Sequence, residues 1–131
     1  MFHGIVLFLL GLLTGLVEQR FANPRMGLAA HLEGLMNGTF LLALGAAWND
    51  ARMSLRSTRI AYAGFLYGGY ANWAVTTFAA LLGTTAMTPL TGAGHAGQAW
   101  AEIVVTVGFA TVGISMIVAS VVLLFGFRRR R

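Results

Sequence analysis

"MGLAAHLEGLMNGTFLLALGAAW", Met26 to Trp48, decides the fold. A hydrocarbon core of about 30 Å is crossed by about 20 residues of helix, and this run is long enough. Yet it carries a histidine, a glutamate and an asparagine at His31, Glu33 and Asn37. Three more apolar runs flank it, so helices are predicted over about 1–18, 26–48, 60–83 and 101–127 of a single domain. With 57% hydrophobic and 10% charged residues and a mean hydropathy of +0.74, the chain has too few charges to coat a soluble globule. The expected fold is an all-α integral membrane bundle of four transmembrane helices embedded in the lipid bilayer.

The first run lacks the basic start and small-x-small cleavage site of a signal peptide and ends in Glu18 and Arg20, so it is read as a helix. Outward from Met26 and Trp48, the connections are "EQRFANPR" with Pro24, the polar "NDARMSLRSTR", and "GTTAMTPLTGAGHAGQ" with Pro89. The net charge of +5 comes from nine arginines and no lysine. They sit at the ends of apolar segments rather than on a basic face, which makes them membrane-surface anchors and excludes a nucleic-acid partner. Arg52, Arg56, Arg59 and the run Arg128 to Arg131 fall on one side, Arg20 and Arg25 on the other. The positive-inside rule then puts both termini in the cytoplasm, in a bacterial inner membrane. Cysteine is absent, which excludes disulfides, thiolate metal sites and covalent c-type haem.

Helices in lipid associate by close backbone approach rather than by water exclusion. Gly11 and Gly15, Gly34 and Gly38, and Gly64 and Gly68 each form a G-x-x-x-G pair. On the third helix the row continues through Asn72 and Thr76, and on the fourth Gly108, Thr111 and Ser115 share a face. Packing alone accounts for such stripes, and the same stripes can line a pocket. Asn37 and Asn72 reach a similar depth on antiparallel helices, near the midplane. They either hydrogen-bond each other's helix or face one pocket.

Ionisable groups gather toward the outer end: His31, Glu33, Glu18, Arg20, Arg25, His95 and Glu102. Charge inside a membrane is expensive when unpaired, so each is a functional candidate. The structural alternatives are a Glu33 pair with Arg20 or Arg25 and a His31 bond to a carbonyl. A neutral imidazole in an apolar, cysteine-free site offers nitrogen to haem iron. His31 alone leaves the opposite axial position open, whereas His31 with His95 makes a bis-histidine electron-transfer subunit; His3 lies too far away. His95, in its glycine-rich loop, is a distal group or a surface residue, with the surface favoured. Tyr67, Tyr70, Trp73 and Trp100 flank an aryl ring or pack against helices and lipid.

"FANPRMGLAAHLEGLMNGTFLLALGAAW", "YGGYANW", "MTP" and the Gly94-His95 pair resemble the small integral-membrane hydroxylaminobenzene mutases over almost the whole chain. A more distant resemblance is to styrene oxide isomerase, a four-helix membrane enzyme that assembles as a trimer and holds haem b. Its alanine-histidine, five residues, then asparagine-glycine matches Ala30, His31, Asn37 and Gly38, and its aromatic-Ala-Asn matches Tyr70, Ala71 and Asn72. The resemblance implies that His31 is the axial ligand of ferric haem b, that Asn37 lies beside the substrate, and that the chain forms a homotrimer. Where the isomerase has a tyrosine and an acid on the substrate-facing row, this chain has Thr76 and Gly68. That change fits an aryl hydroxylamine better than an epoxide, although epoxide isomerisation stays as an alternative.

The expected reaction is therefore hydroxylaminobenzene to 2-aminophenol, an isomerisation of the kind used in nitroaromatic degradation. A ferric haem held by one neutral histidine is a Lewis acid that polarises the N–O bond without net redox change. Asn37, Asn72 and Thr76 are the expected catalytic residues. His31, Gly34 and Gly38, with Arg20 and Arg25 on the propionates, form the expected haem site. Six residues of helix turn through about 600°, which points His31 and Asn37 roughly 120° apart. One site can use both only if the haem lies in a crevice between helices or subunits.

Overall fold

The computed structural model describes residues 1–128, so Arg129, Arg130 and Arg131 of the terminal arginine run lie outside the described residues. Four helices follow one another: α1 (Phe2–Val17), α2 (Pro24–Ala47), α3 (Leu55–Leu82) and α4 (Ala99–Arg128). Short 3-10 turns at Glu18–Arg20 and Trp48–Asp50 extend α1 and α2, and no strand occurs among the described residues. The stretches Phe2–Arg20 and Ala99–Arg128 are long and apolar enough to cross a membrane. In α2 and α3 the apolar run is diluted by His31, Glu33 and Asn37 and by Arg56, Arg59 and Asn72.

Each helix packs on its neighbour in sequence, α1 on α2, α2 on α3 and α3 on α4. Leu7, Leu41, Ala61, Phe65, Ala119 and Leu123 form one buried cluster, and Met26, Ala79, Ala80 and Val105 another toward the opposite end. Small side chains dominate these contacts because close backbone approach, rather than expulsion of water, holds helices together in an apolar medium.

Local chemistry sets the helix ends. The Asn23 side chain accepts from Met26 N at 3.2 Å, and Pro24 occupies the first helical position, where its missing N–H is no loss. Ser54 Oγ accepts from Ser57 N at 3.2 Å and starts α3 at Leu55, five residues before the expected Ile60. The arginines there read as loop by charge, but arginine is a good helix former once a cap is supplied. Gly83, with φ +64°, closes α3 in the left-handed conformation that glycine adopts without strain.

The long connection between α3 and α4 is fastened at both edges. Glu102 accepts from Thr85 N at 2.8 Å and from Ala86 N at 2.9 Å. Asn23 Nδ2 donates to Thr91 O at 2.8 Å, and the Arg25 guanidinium donates to Ala93 O. His95, favoured as a surface residue from sequence, is half-buried against Gly83, and its Nε2 donates to Ala22 O at 3.0 Å. Its polar neighbours are backbone groups of a folded loop, which explains why a glycine-rich composition misread it.

Candidate functional site

The α1–α2 contact is made by glycines touching backbone. A Cβ on Gly34 would lie 2.8 Å from Gly11 N, and one on Gly38 would lie 2.5 Å from Phe8 N. Gly34 and Gly38, expected to line a cofactor, thus face α1 directly. Their close approach brings Gly11 O to 2.7 Å from His31 Nδ1. Gly15 leaves room for the ring, since a Cβ there would sit 2.6 Å from the same nitrogen.

The geometry fixes the imidazole's tautomer. A carbonyl oxygen only accepts, so Nδ1 carries the hydrogen and the neutral ring presents a bare lone pair at Nε2. Nε2 has no partner among the described residues and is not among the buried unpaired atoms, so it lies at the accessible rim of the α1–α2 groove. An imidazole held by its far nitrogen against a carbonyl, with the other nitrogen open, is the arrangement that orients a metal-ligating histidine. The residue fits an axial ligand of haem iron.

A second group lies between α2 and α3. Thr76 Oγ1 donates to Glu33 Oε2 at 2.6 Å and stands 2.9 Å from Asn72 O. Asn37 is level with Gly69, whose added Cβ would meet the Asn37 Cβ at 3.8 Å. The antiparallel register that sets Glu33 beside Thr76 therefore sets Asn37 at the height of Asn72. Asn37 Nδ2 is buried without a hydrogen-bond partner. Buried amide donors are almost always satisfied, so an unpaired one marks a place where something else is meant to accept.

Several residues fall elsewhere than the sequence suggested. The Glu33 carboxyl bonds Thr76, while Arg25 is taken by Ala93 O and Arg20 stays exposed at the end of its 3-10 turn. His31 faces α1 and His95 ties the third loop to the first, so the chain does not bring these two imidazoles together. Tyr67 bonds Thr111 at 2.7 Å and Trp73 Nε1 donates to Thr14 Oγ1 at 3.0 Å, helix-to-helix contacts rather than an aryl cage. Trp100 donates to Gln98 at 2.6 Å at the start of α4. The Glu33–Thr76 bond was the one functional contact overlooked, although the register argument that levelled Asn37 with Asn72 also levels these two.

The sequence pattern of the styrene oxide isomerase family matches residues 1–128. A relative named hydroxylaminobenzene mutase HabB, from Ectopseudomonas oleovorans, is 42% identical over 126 residues, covering 95% of this chain and 77% of its own. Hydroxylaminobenzene mutase HabA of the same organism is 38% identical over 127 residues, covering 96% of this chain and 94% of its own. No solved structure matches.

Proposed function

The chain belongs to the styrene oxide isomerase family and is an isomerase of the mutase kind; from that premise we propose that it is a haem-dependent membrane enzyme converting hydroxylaminobenzene to 2-aminophenol. The observation that carries the reading is His31, whose Nδ1 is engaged by Gly11 O while Nε2 is left open. His31 would hold haem b, with exposed Arg20 at the same end within the reach of a propionate. Bound ferric haem supplies a Lewis acid that weakens the N–O bond.

The rest of the chemistry falls to the chain's own side chains. Product and substrate are isomers: the N–O bond breaks, a C–O bond forms at the ortho carbon, and nitrogen gains the proton that this carbon loses. No reductant or dioxygen enters that balance. Asn37 Nδ2, unpaired in the protein, donates to the hydroxylamine oxygen, and Asn72 holds the NHOH group at the same height. Thr76 offers a hydroxyl one turn away, kept in place by Glu33. The apolar interface keeps water from capturing the cationic ring, which would otherwise lead to other products.

His31 faces α1 and Asn37 faces α3, so the complete site is formed in a crevice between subunits of a homotrimer. Four spans cross a bacterial inner membrane with both termini in the cytoplasm, Arg52, Arg56 and Arg59 marking that side. The names of both relatives favour the hydroxylamine over the epoxide that the family name carries. The deciding experiment is an absorption spectrum and a turnover assay of detergent-purified protein. A Soret band and conversion of hydroxylaminobenzene without added reductant are expected, both lost in His31→Ala and the band kept in His95→Ala. A His31→Ala protein that keeps its haem and its rate defeats the proposal, and turnover of styrene oxide alone transfers it to the epoxide.

A further inference from the structure

A cavity of about 420 Å³ opens at the opposite end of the bundle from His31, between the start of α1, the end of α2 and the first half of α3. Resting on the activity proposed above, we propose that it binds single-ring aromatic amines and hydroxylamines, with His3 Nε2 as the acceptor for their N–H or O–H.

Its walls argue for a flat ring. Phe2, Trp48, Tyr62 and Phe65 all line it, and Trp48 and Tyr62 meet edge to face with centroids 6.2 Å apart. Aromatic faces and edges favour another ring in offset or T-shaped contact. The volume lies in the ~300–1,000 Å³ range of small-molecule sites.

His3 supplies the polar element. Tyr70 Oη donates to His3 O at 3.2 Å and stands 3.2 Å from His3 Nδ1. The phenol has one hydrogen, so both contacts are hydrogen bonds only when His3 Nδ1–H donates back to it. Nε2 is then an unprotonated acceptor on a residue that lines the cavity, and it is not among the buried unpaired atoms. An acceptor on an otherwise aromatic wall selects rings that carry N–H or O–H over bare hydrocarbons.

The position connects this cavity to the catalytic level. Leu41 lines it, and a Cβ on Gly69 would lie 3.5 Å from Leu41 Cδ1 and 3.8 Å from Asn37 Cβ. The floor of the cavity is thus one helical turn from the unpaired Asn37 amide. With Arg52, Arg56 and Arg59 at the same end, its mouth faces the side from which a cytoplasmic aryl hydroxylamine arrives and to which the aminophenol leaves.

The test uses the full-length protein in detergent, with 2-aminophenol as the probe and tryptophan emission as the readout. Quenching by 2-aminophenol is expected in the wild type and is expected to disappear in Trp48→Phe, although Trp73 and Trp100 remain. His3→Ala should weaken 2-aminophenol about tenfold while leaving toluene, which has no N–H or O–H, unchanged. Leu44→Trp, which fills the cavity, should raise KM for hydroxylaminobenzene about tenfold with kcat and the Soret band preserved. Quenching that survives Trp48→Phe, equal losses for both ligands in His3→Ala, or an unaltered KM in Leu44→Trp overturns the assignment. So does displacement by phosphatidylglycerol but not by 2-aminophenol, which makes the cavity a lipid seat. Binding is read without turnover: a wild type that binds 2-aminophenol at Trp48 but does not convert hydroxylaminobenzene sinks the activity and leaves the cavity assignment standing.

Discussion

Replacing Gly34 by alanine adds one methyl group where α1 and α2 touch backbone to backbone. The new Cβ would lie 2.8 Å from Gly11 N and closer still to Gly11 Cα, whereas ordinary contact begins at 3.4 Å, so the helices must part by at least 0.6 Å. Neither side has a flexible side chain to give way. The same displacement lengthens the 2.7 Å bond from His31 Nδ1 to Gly11 O past the distance at which such bonds hold. Overpacking of this kind costs about 1–3 kcal/mol, and the lost hydrogen bond adds about 0.5–1.5 kcal/mol. Alanine returns about 0.5–1 kcal/mol of helix preference over glycine. The net expectation is a loss of about 2 kcal/mol with a loosened imidazole. Gly113→Ala is the control, because a Cβ there meets nothing within 4 Å and collects the helix preference alone. Thermal unfolding in detergent, followed by circular dichroism, reads the difference, and the Soret band reads the imidazole. Equal midpoints and equal haem content in the two variants refute the reasoning, since they would mean that the α1–α2 glycines are not in backbone contact.

Two further substitutions probe other parts of the scaffold. Asn37→Leu removes a buried amide donor that has no partner, so stability should hold or rise by up to about 1 kcal/mol, while kcat should fall by about 10²-fold; a destabilised protein of normal rate contradicts the assigned role. Glu102→Ala frees the N–H groups of Thr85 and Ala86, and exchange of those two amides should quicken on the order of tenfold, with Glu102→Gln intermediate because it keeps one acceptor; unaltered exchange means that the loop is held by Asn23 and Arg25 instead.

Much of the helical plan was legible because it rests on local rules. Apolar run length located the helices to within a few residues, except at the start of α3, where the Ser54 cap outweighs a charged composition. The glycine pairs announced close packing, and Gly34 against Gly11 is that contact. The Asn37–Asn72 depth match came from counting 1.5 Å steps along antiparallel helices. His95 and Arg25 were not legible, since both bond carbonyls of a loop more than 60 residues away.

The sequence by itself determined four helices, a lipid-compatible composition, and a histidine and two amides at defined heights, because height along a helix depends only on residue number. Which neighbour each face meets was decided by the tertiary structure alone. His31 turned to α1 and acquired its tautomer from Gly11 O, while Glu33 and Asn37, a fraction of a turn away, turned to α3. The reason is that azimuth has no meaning until a partner helix is in place: the direction of a side chain is local, but the atom waiting there belongs to a segment that only folding brings near.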